Sequence, residues 1–341
     1  MIDSRTALRT FLIAGTVVTV AVPTLSQELN LYSSRHYDTD ERLYSDFEEQ
    51  TGITINRIEG NADELIARMD AEAANSPADI LLTVDTSRLE RAKDLGLLQA
   101  VESEVLEERI PENLQDADNE WFGFSQRARI LFFGKDEVES PPQTYAALAD
   151  PQYEGMVCIR SGDNVYSQTI LAAIIEHEGE EAAKAWAEGI VANFARDPQG
   201  GDTDQLRALV SGECDISMAN TYYFARAIRT DVDGLSDQID QIGWVFPDQG
   251  GNGSHVNLSG GGVAANAPNR DNAVAFLEYL ASDQAQRYFS AGNDEYPAVE
   301  GVEIAPSVAE LGEFEADDVS LSAVAKNVPR AQEIFNEVGW K

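Results

Sequence analysis

The sequence predicts an α/β protein of two lobes, with the second lobe inserted into the first. Strand-like and helix-like segments alternate from residue 29 to a helix that starts near residue 87, which implies a parallel sheet covered by helices on both faces. An apolar run at 122–133, interrupted only by polar residues that include Arg127 and Arg129, is long enough to leave one lobe and enter another. A glycine-rich turn at 249–253, flanked by strand-like 243–247 and 255–259, brings the chain back. Two lobes joined by two crossings form a clamp, and ligand binds such folds in the cleft, at the carboxyl ends of the strands.

The first segment differs from the rest. Arg5 and Arg9 precede an apolar run at 11–22, which has the length of a secretory signal core and is short for a bilayer span. Thr24 and Ser26 supply the small residues before a cut at Gln27, so 1–26 is expected to be a signal peptide, with an uncleaved anchor as the alternative, and the mature chain an exported, soluble one. The mature chain then divides into lobe 1, residues 27–127 with 250–341, and lobe 2, residues 128–249. In lobe 1, strands are expected at 29–34, 54–58 and 79–84. The helix after the first strand places Leu43, Tyr44 and Phe47 on one face; further helices cover 64–73 and start near 87. In lobe 2, a helix starts at 141–145, a strand at 156–160 opens a loop at 161–166, helices cover 167–176 and 181–191, and a strand at 215–219 ends at Asn220. After the return, Gly260, Gly261 and Gly262 read as a hinge or tight turn, since no P-loop Lys-Ser/Thr follows. Residues 269–288 read as one periodic helix, and the remainder as helical and acidic.

Composition narrows the function. The chain of 341 residues is 43% apolar, enough for two cores, and its net charge of −36 argues against a nucleic-acid binder because a phosphate backbone would be repelled. Cys158 and Cys214 both fall on expected strands of lobe 2. In an oxidising compartment they would pair, or they remain two buried thiols; without CxxC spacing they make a poor zinc site.

Four tyrosines share one description. Tyr37, Tyr166 and the adjacent pair Tyr222-Tyr223 each follow a strand and precede or open a helix, one in lobe 1 and three in lobe 2. Closure of the clamp would bring four phenols to one point. A free phenol has a pKa of about 10, so four tyrosinates at neutral pH require a hard, highly charged cation. Ferric iron meets that need better than calcium or magnesium, which take carboxylates and water, or zinc and copper, which take imidazole and thiolate. Four phenolates on Fe(III) leave one negative charge, and Arg127, Arg129 and Arg226 are the guanidinium groups placed to offset it. A structural alternative exists for the pair, with one ring in the core and one hydroxyl at the surface.

Several segments carry a family resemblance: 32–40 (YSSRHYDTD), Arg127-Ala128-Arg129, 193–205 (NFARDPQGGDTDQ) and Asn220-Thr221-Tyr222-Tyr223. Together they resemble the periplasmic ferric-iron-binding proteins of ABC transporters, in particular the cyanobacterial FutA branch, through nearly the whole mature chain. The resemblance implies a class II periplasmic binding protein fold. It implies Tyr37, Tyr166, Tyr222 and Tyr223 as metal ligands, with His36 as an added donor in some members. It also implies Fe(III) as transported cargo, an inner-membrane permease as partner, no catalysis, and a monomer. His36 could complete a fifth position or bond a backbone group. This chain departs from relatives at Ser161-Gly162-Asp163, where others are serine-rich, and at Phe132-Phe133, where tyrosine is common; neither touches an expected ligand. His177 and His255 are expected at the surface or in loops, Tyr32 in a strand core, and Tyr296 in packing. The alternative function keeps the fold and gives the cleft an organic cation or an oxyanion, since aromatic residues also box quaternary ammonium groups.

Overall fold

The computed structural model describes residues 28–35 and 37–341; the expected signal peptide and His36 lie outside the described residues. The first half repeats the expected alternation: β1 (Glu28–Ser33), α1 (Glu41–Thr51), β2 (Thr54–Glu59), α2 (Ala62–Glu72), β3 (Ile80–Thr83) and α3 (Thr86–Asp94). β1 pairs in parallel with both β2 and β3. Local chemistry sets the helix ends. Asn61 and Asp85 accept from the backbone N–H groups of Asp63 and Ser87 at the starts of α2 and α3, and left-handed Gly52 closes α1. A short strand β4 (Leu98–Gln99) and helix α4 (Glu104–Arg109) lead into β5 (Phe122–Gly134).

The second half contains β6 (Val157–Cys158), α5 (Val165–Glu178), α6 (Glu180–Ala192), α7 (Asp202–Val210), β7 (Ile216–Asn220), α8 (Thr221–Arg229) and β8 (Ile242–Val245). The chain returns through β9 (Val256–Ala264), followed by α9 (Arg270–Leu280), α10 (Asp283–Asn293), β10 (Tyr296–Pro297), α11 (Pro306–Ala309) and α12 (Leu321–Val338). Strand order is β2-β1-β3-β9-β5-β7-β6. The 13-residue β5 spans both halves: residues up to Ala128 pair with β9, and residues from Arg129 onward pair with β7 and β8. Among the described residues one apolar cluster forms in the first half, around Leu31, Phe47, Leu81 and Phe276, and two serve the second, around Leu131, Ile170, Trp186 and Ile216 and around Ile130, Phe132, Leu206 and Phe224.

Five expectations change. The sheet is mixed rather than parallel, because β9 re-enters from the inserted half and runs antiparallel between β3 and β5. The three glycines are neither hinge nor turn. They lie inside β9, where a Cβ on Gly260 would meet Phe122 O at 2.5 Å and one on Gly262 would meet Glu120 O at 2.2 Å, so backbone crowding demands glycine. The periodic stretch after 269 is two helices, because Ser282 caps α10 by accepting from Ala285 N–H. The start expected at 141–145 yields only a 3-10 turn at Ala146–Ala149. Residues 250–341 were all expected with lobe 1, yet the end of the chain packs on the second half, with Phe335 and Trp340 in the same cluster as Trp186 and Ile190.

Cys158 and Cys214 form a disulfide, with Cα atoms 5.8 Å apart. It ties the end of β6 to the approach of β7, the two strands that lead into Tyr166 and the tyrosine pair.

Gly262→Ala is expected to destabilise the fold by about 1–3 kcal/mol through backbone overlap, read as a lower denaturation midpoint in urea.

Candidate metal centre

Each of the four tyrosines sits where a strand gives way to a helix. Tyr37 follows β1 and its carbonyl accepts from Asp40 N–H as a 3-10 turn at Asp38–Asp40 begins. Tyr166 lies in the first turn of α5, one residue deeper than the expected loop, its N–H bonded to the Asn164 side chain. Tyr222 and Tyr223 open α8 directly after β7. Phe224 anchors that helix, its ring 5.2 Å from those of Phe132 and Trp244. The pair therefore has the next residue, not either phenol, as its core anchor.

The phenols converge. The hydroxyls of Tyr166 and Tyr222 are 3.3 Å apart, and the rings of Tyr222 and Tyr223 lie 4.1 Å apart. The Arg226 guanidinium is 5.6 Å from the Tyr222 ring, 5.9 Å from Tyr223 and 6.0 Å from Tyr37, so it stands among phenols of both halves. Burial, then the neighbouring Tyr166 and Glu295, raises the Tyr37 hydroxyl above the ordinary phenol range. Burial, then Tyr166, Tyr37 and Tyr223, does the same to Tyr222, and burial followed by Asp202 pushes Tyr223 up to about 12. Without a cation these three are neutral phenols at pH 7.

Guanidinium groups surround the cluster. Arg127, Arg129 and Arg160 stand 5.4, 5.9 and 5.3 Å from the Tyr166 ring. Arg127 bonds the Val84 carbonyl and Ser259. Arg129 is otherwise engaged than expected: its Nη1 bonds Asp202 at 3.0 Å and Asn220 at 3.1 Å. Asp202 also reaches Arg160 at 3.4 Å and accepts from Asn220 N–H at 2.9 Å. Much of the positive charge of Arg129 is thus answered by a carboxylate, leaving Arg127 and Arg226 as the less committed cations. Nε of Arg127, Arg129 and Arg160 and Oγ of Ser167 are buried with no hydrogen-bond partner, a set of donors suited to an anionic centre.

The residues 75–315 match the family described as bacterial extracellular solute-binding proteins. The chain belongs to this family. Among solute-binding proteins, it is 48% identical over 320 residues to Iron uptake protein A1 of Synechocystis sp., covering 94% of this chain and 89% of that protein. A structure of Trichodesmium FutA in complex with iron and citrate ligands superposes with a TM-score of 0.88 at 47% identity, covering 92% of this chain and all of the other. A ferric binding protein from Campylobacter jejuni gives a TM-score of 0.87 at 39% identity, over 92% of this chain and all of the other. The fold is accordingly the two-lobed one expected.

Sequence reasoning missed two arginines of this solute-binding protein. Arg35 lies 4.9 Å from the Tyr37 ring and is held by Asp40 at 2.8 Å and Glu295 at 3.4 Å, in full burial. Arg160 ends the segment after β6. Their signal was position: each stands at the carboxyl end of a strand, shortly before an expected ligand. His255 was expected in a loop or at the surface, but it is 2% exposed beside β5. Tyr32 is in the core as expected, Tyr296 packs on Phe314, and exposed His177 bonds Asp317 at 2.8 Å.

Asp202→Ala is expected to cost about 3–5 kcal/mol, because it strands the buried guanidinium of Arg129 and the partly buried one of Arg160; thermal and urea denaturation check this.

Proposed function

We propose that this protein is the substrate-binding component of an iron ABC importer, which captures Fe(III) between its lobes through the phenolates of Tyr37, Tyr166, Tyr222 and Tyr223 and hands it to an inner-membrane permease. The observation that carries this reading is the convergence of phenols from both halves: Tyr166 and Tyr222 of the second half have hydroxyls 3.3 Å apart, and the Arg226 guanidinium stands 5.6 Å from the Tyr222 ring and 6.0 Å from the Tyr37 ring of the first half. It is supported by relatives that are iron uptake and ferric iron-binding proteins. The cleft supplies anionic oxygen once protons leave, and a trivalent ion is the cargo that repays that loss. Arg226 and Arg127 would offset the residual negative charge, while Arg129 and Arg160 hold Asp202 and keep the Tyr166 side of the site in shape. His36, next to Tyr37 in sequence, is the candidate for a fifth donor. The protein acts as a periplasmic monomer and binds without turnover, because four or five protein donors leave little room for a second substrate on the metal. Its acidic surface excludes nucleic acid.

A ferric titration of the purified protein should develop an intense visible phenolate-to-iron band that saturates at one equivalent. The double change Tyr222→Phe/Tyr223→Phe should abolish that band and weaken ferric binding by several orders of magnitude; a retained band would refute the ligand assignment. Replacing Arg226 with Gln should weaken ferric affinity on the order of tenfold, since a net-negative centre loses one of its two less committed cations.

Proton linkage gives a separate check. A phenol whose pKa is raised in the metal-free site carries its proton at neutral pH and must release it on binding. Ferric affinity should therefore fall as pH falls, and an unbuffered titration should release close to four protons per ion. Release of none would remove the phenolate reading.

A further inference from the structure

The helix α5 carries Tyr166 at its start and a second feature further along. Ile170, Ala173 and Ile174 follow Tyr166 at helical spacing and, together with Trp186 of α6 and Tyr145, wall a cavity of about 340 Å³. None of the four tyrosines lines it. The volume falls within the range of small-molecule pockets, and its walls are largely apolar, as such pockets are.

Its polar groups are few and specific. His255 lines the cavity, is 2% exposed, and has no hydrogen-bond partner on either ring nitrogen. Buried polar groups left unbonded are costly, so an unbonded donor and acceptor on a residue of the cavity wall mark a place where a ligand would complete them. Burial, then Arg129 and Arg127, lowers this imidazole to about 3, so at neutral pH it offers one N–H and one acceptor nitrogen. Three carboxylates, Asp248, Glu178 and Asp317, also line the cavity, and Asp317 is engaged by His177. Burial, with Glu178 and Asp317 nearby, pushes the Asp248 carboxyl up, the sign of negative charge without enough compensation.

We infer that this cavity is a second ligand site, which takes a small organic amine with its ammonium within reach of the Asp248 carboxylate and the His255 imidazole and its hydrocarbon body against Ile170, Ile174 and Trp186. An anion is disfavoured by three carboxylates in a chain of net charge −36. A bare metal ion is disfavoured because, among the described residues, no three or more His, Cys, Asp or Glu side chains are grouped to hold one. An organic cation matches both the apolar walls and the acidic lining, and its N–H groups meet the free acceptor of His255. The site stands apart from the proposed iron centre and does not depend on it.

The test is calorimetric titration of the full mature chain with 2-phenylethylamine, 2-phenylethanol and phenylacetate, three probes of one size and different charge. The amine should bind saturably at one per chain, the alcohol at least tenfold more weakly, and phenylacetate not measurably. Asp248→Asn should weaken the amine at least tenfold, and Ala173→Leu, which fills the cavity, should abolish its binding. Melting temperature and ferric titration of the same variants show whether each remains folded and whether the iron site is intact, so failure of the amine site is distinguishable from failure of the iron reading. Equal binding of all three probes, no saturable binding by any of them, or an amine affinity unchanged in both variants would overturn the inference.

Discussion

Asp202 holds together more of the second half than any other single side chain near the phenols. It is fully buried at the start of α7, where the helix N-terminus favours negative charge, and it accepts from Arg129 on β5, from Arg160 after β6 and from the Asn220 backbone at the end of β7. One carboxylate thus ties the middle of β5 to the carboxyl ends of β6 and β7. Those ends are where Tyr166, Tyr222 and Tyr223 begin. Isolated buried charges are expensive, but here the partners are two guanidinium groups and a backbone N–H, so the cost is offset by charge-assisted hydrogen bonds. The phenols inherit their positions from this arrangement.

A matching device operates in the first half. Arg35 is clasped by Asp40 and Glu295, and Glu295 in turn accepts from Ser125 on β5. The ring of Tyr37 lies 4.9 Å from this guanidinium and 6.0 Å from that of Arg226. Each half therefore brings its phenols to the cleft on a rigid, charge-neutralised support. The hydroxyls of Tyr37, Tyr222 and Tyr223, raised by burial, stay protonated at neutral pH in the metal-free site, so Arg127 and Arg226 leave it with a positive balance.

The architecture was legible where local pattern and tertiary role coincide. Alternation revealed β1 to α3, the length of β5 revealed the passage between halves, and the recurrence of tyrosine after strands revealed the convergence. What escaped was set by contacts between distant segments. The glycines of β9 look like a flexible turn in sequence, yet it is the carbonyls of Glu120 and Phe122, more than a hundred residues earlier, that require them. His255 sits in a stretch of Gly, Asn and Ser that reads as a loop, and only the packing of β9 on β5 buries it. The motif 193–205 was recognisable, but its purpose was not: its turns, with Gln205 bonded to the Gln199 carbonyl, set up the start of α7 and so deliver Asp202. The position of α12 was equally hidden, since an amphipathic terminal helix does not state which core it covers.

Tyr145 joins the two strands that run between the halves. Its hydroxyl donates to the Arg129 carbonyl of β5 at 2.6 Å and accepts from the His255 N–H at the entrance to β9 at 2.9 Å. With the Arg129 N–H also donating to the His255 carbonyl at 3.0 Å, the two segments are held in one register where they pass between the halves. One phenol thus sets the level at which β5 and the entrance to β9 cross between the halves, a few residues from Arg127 and Arg129.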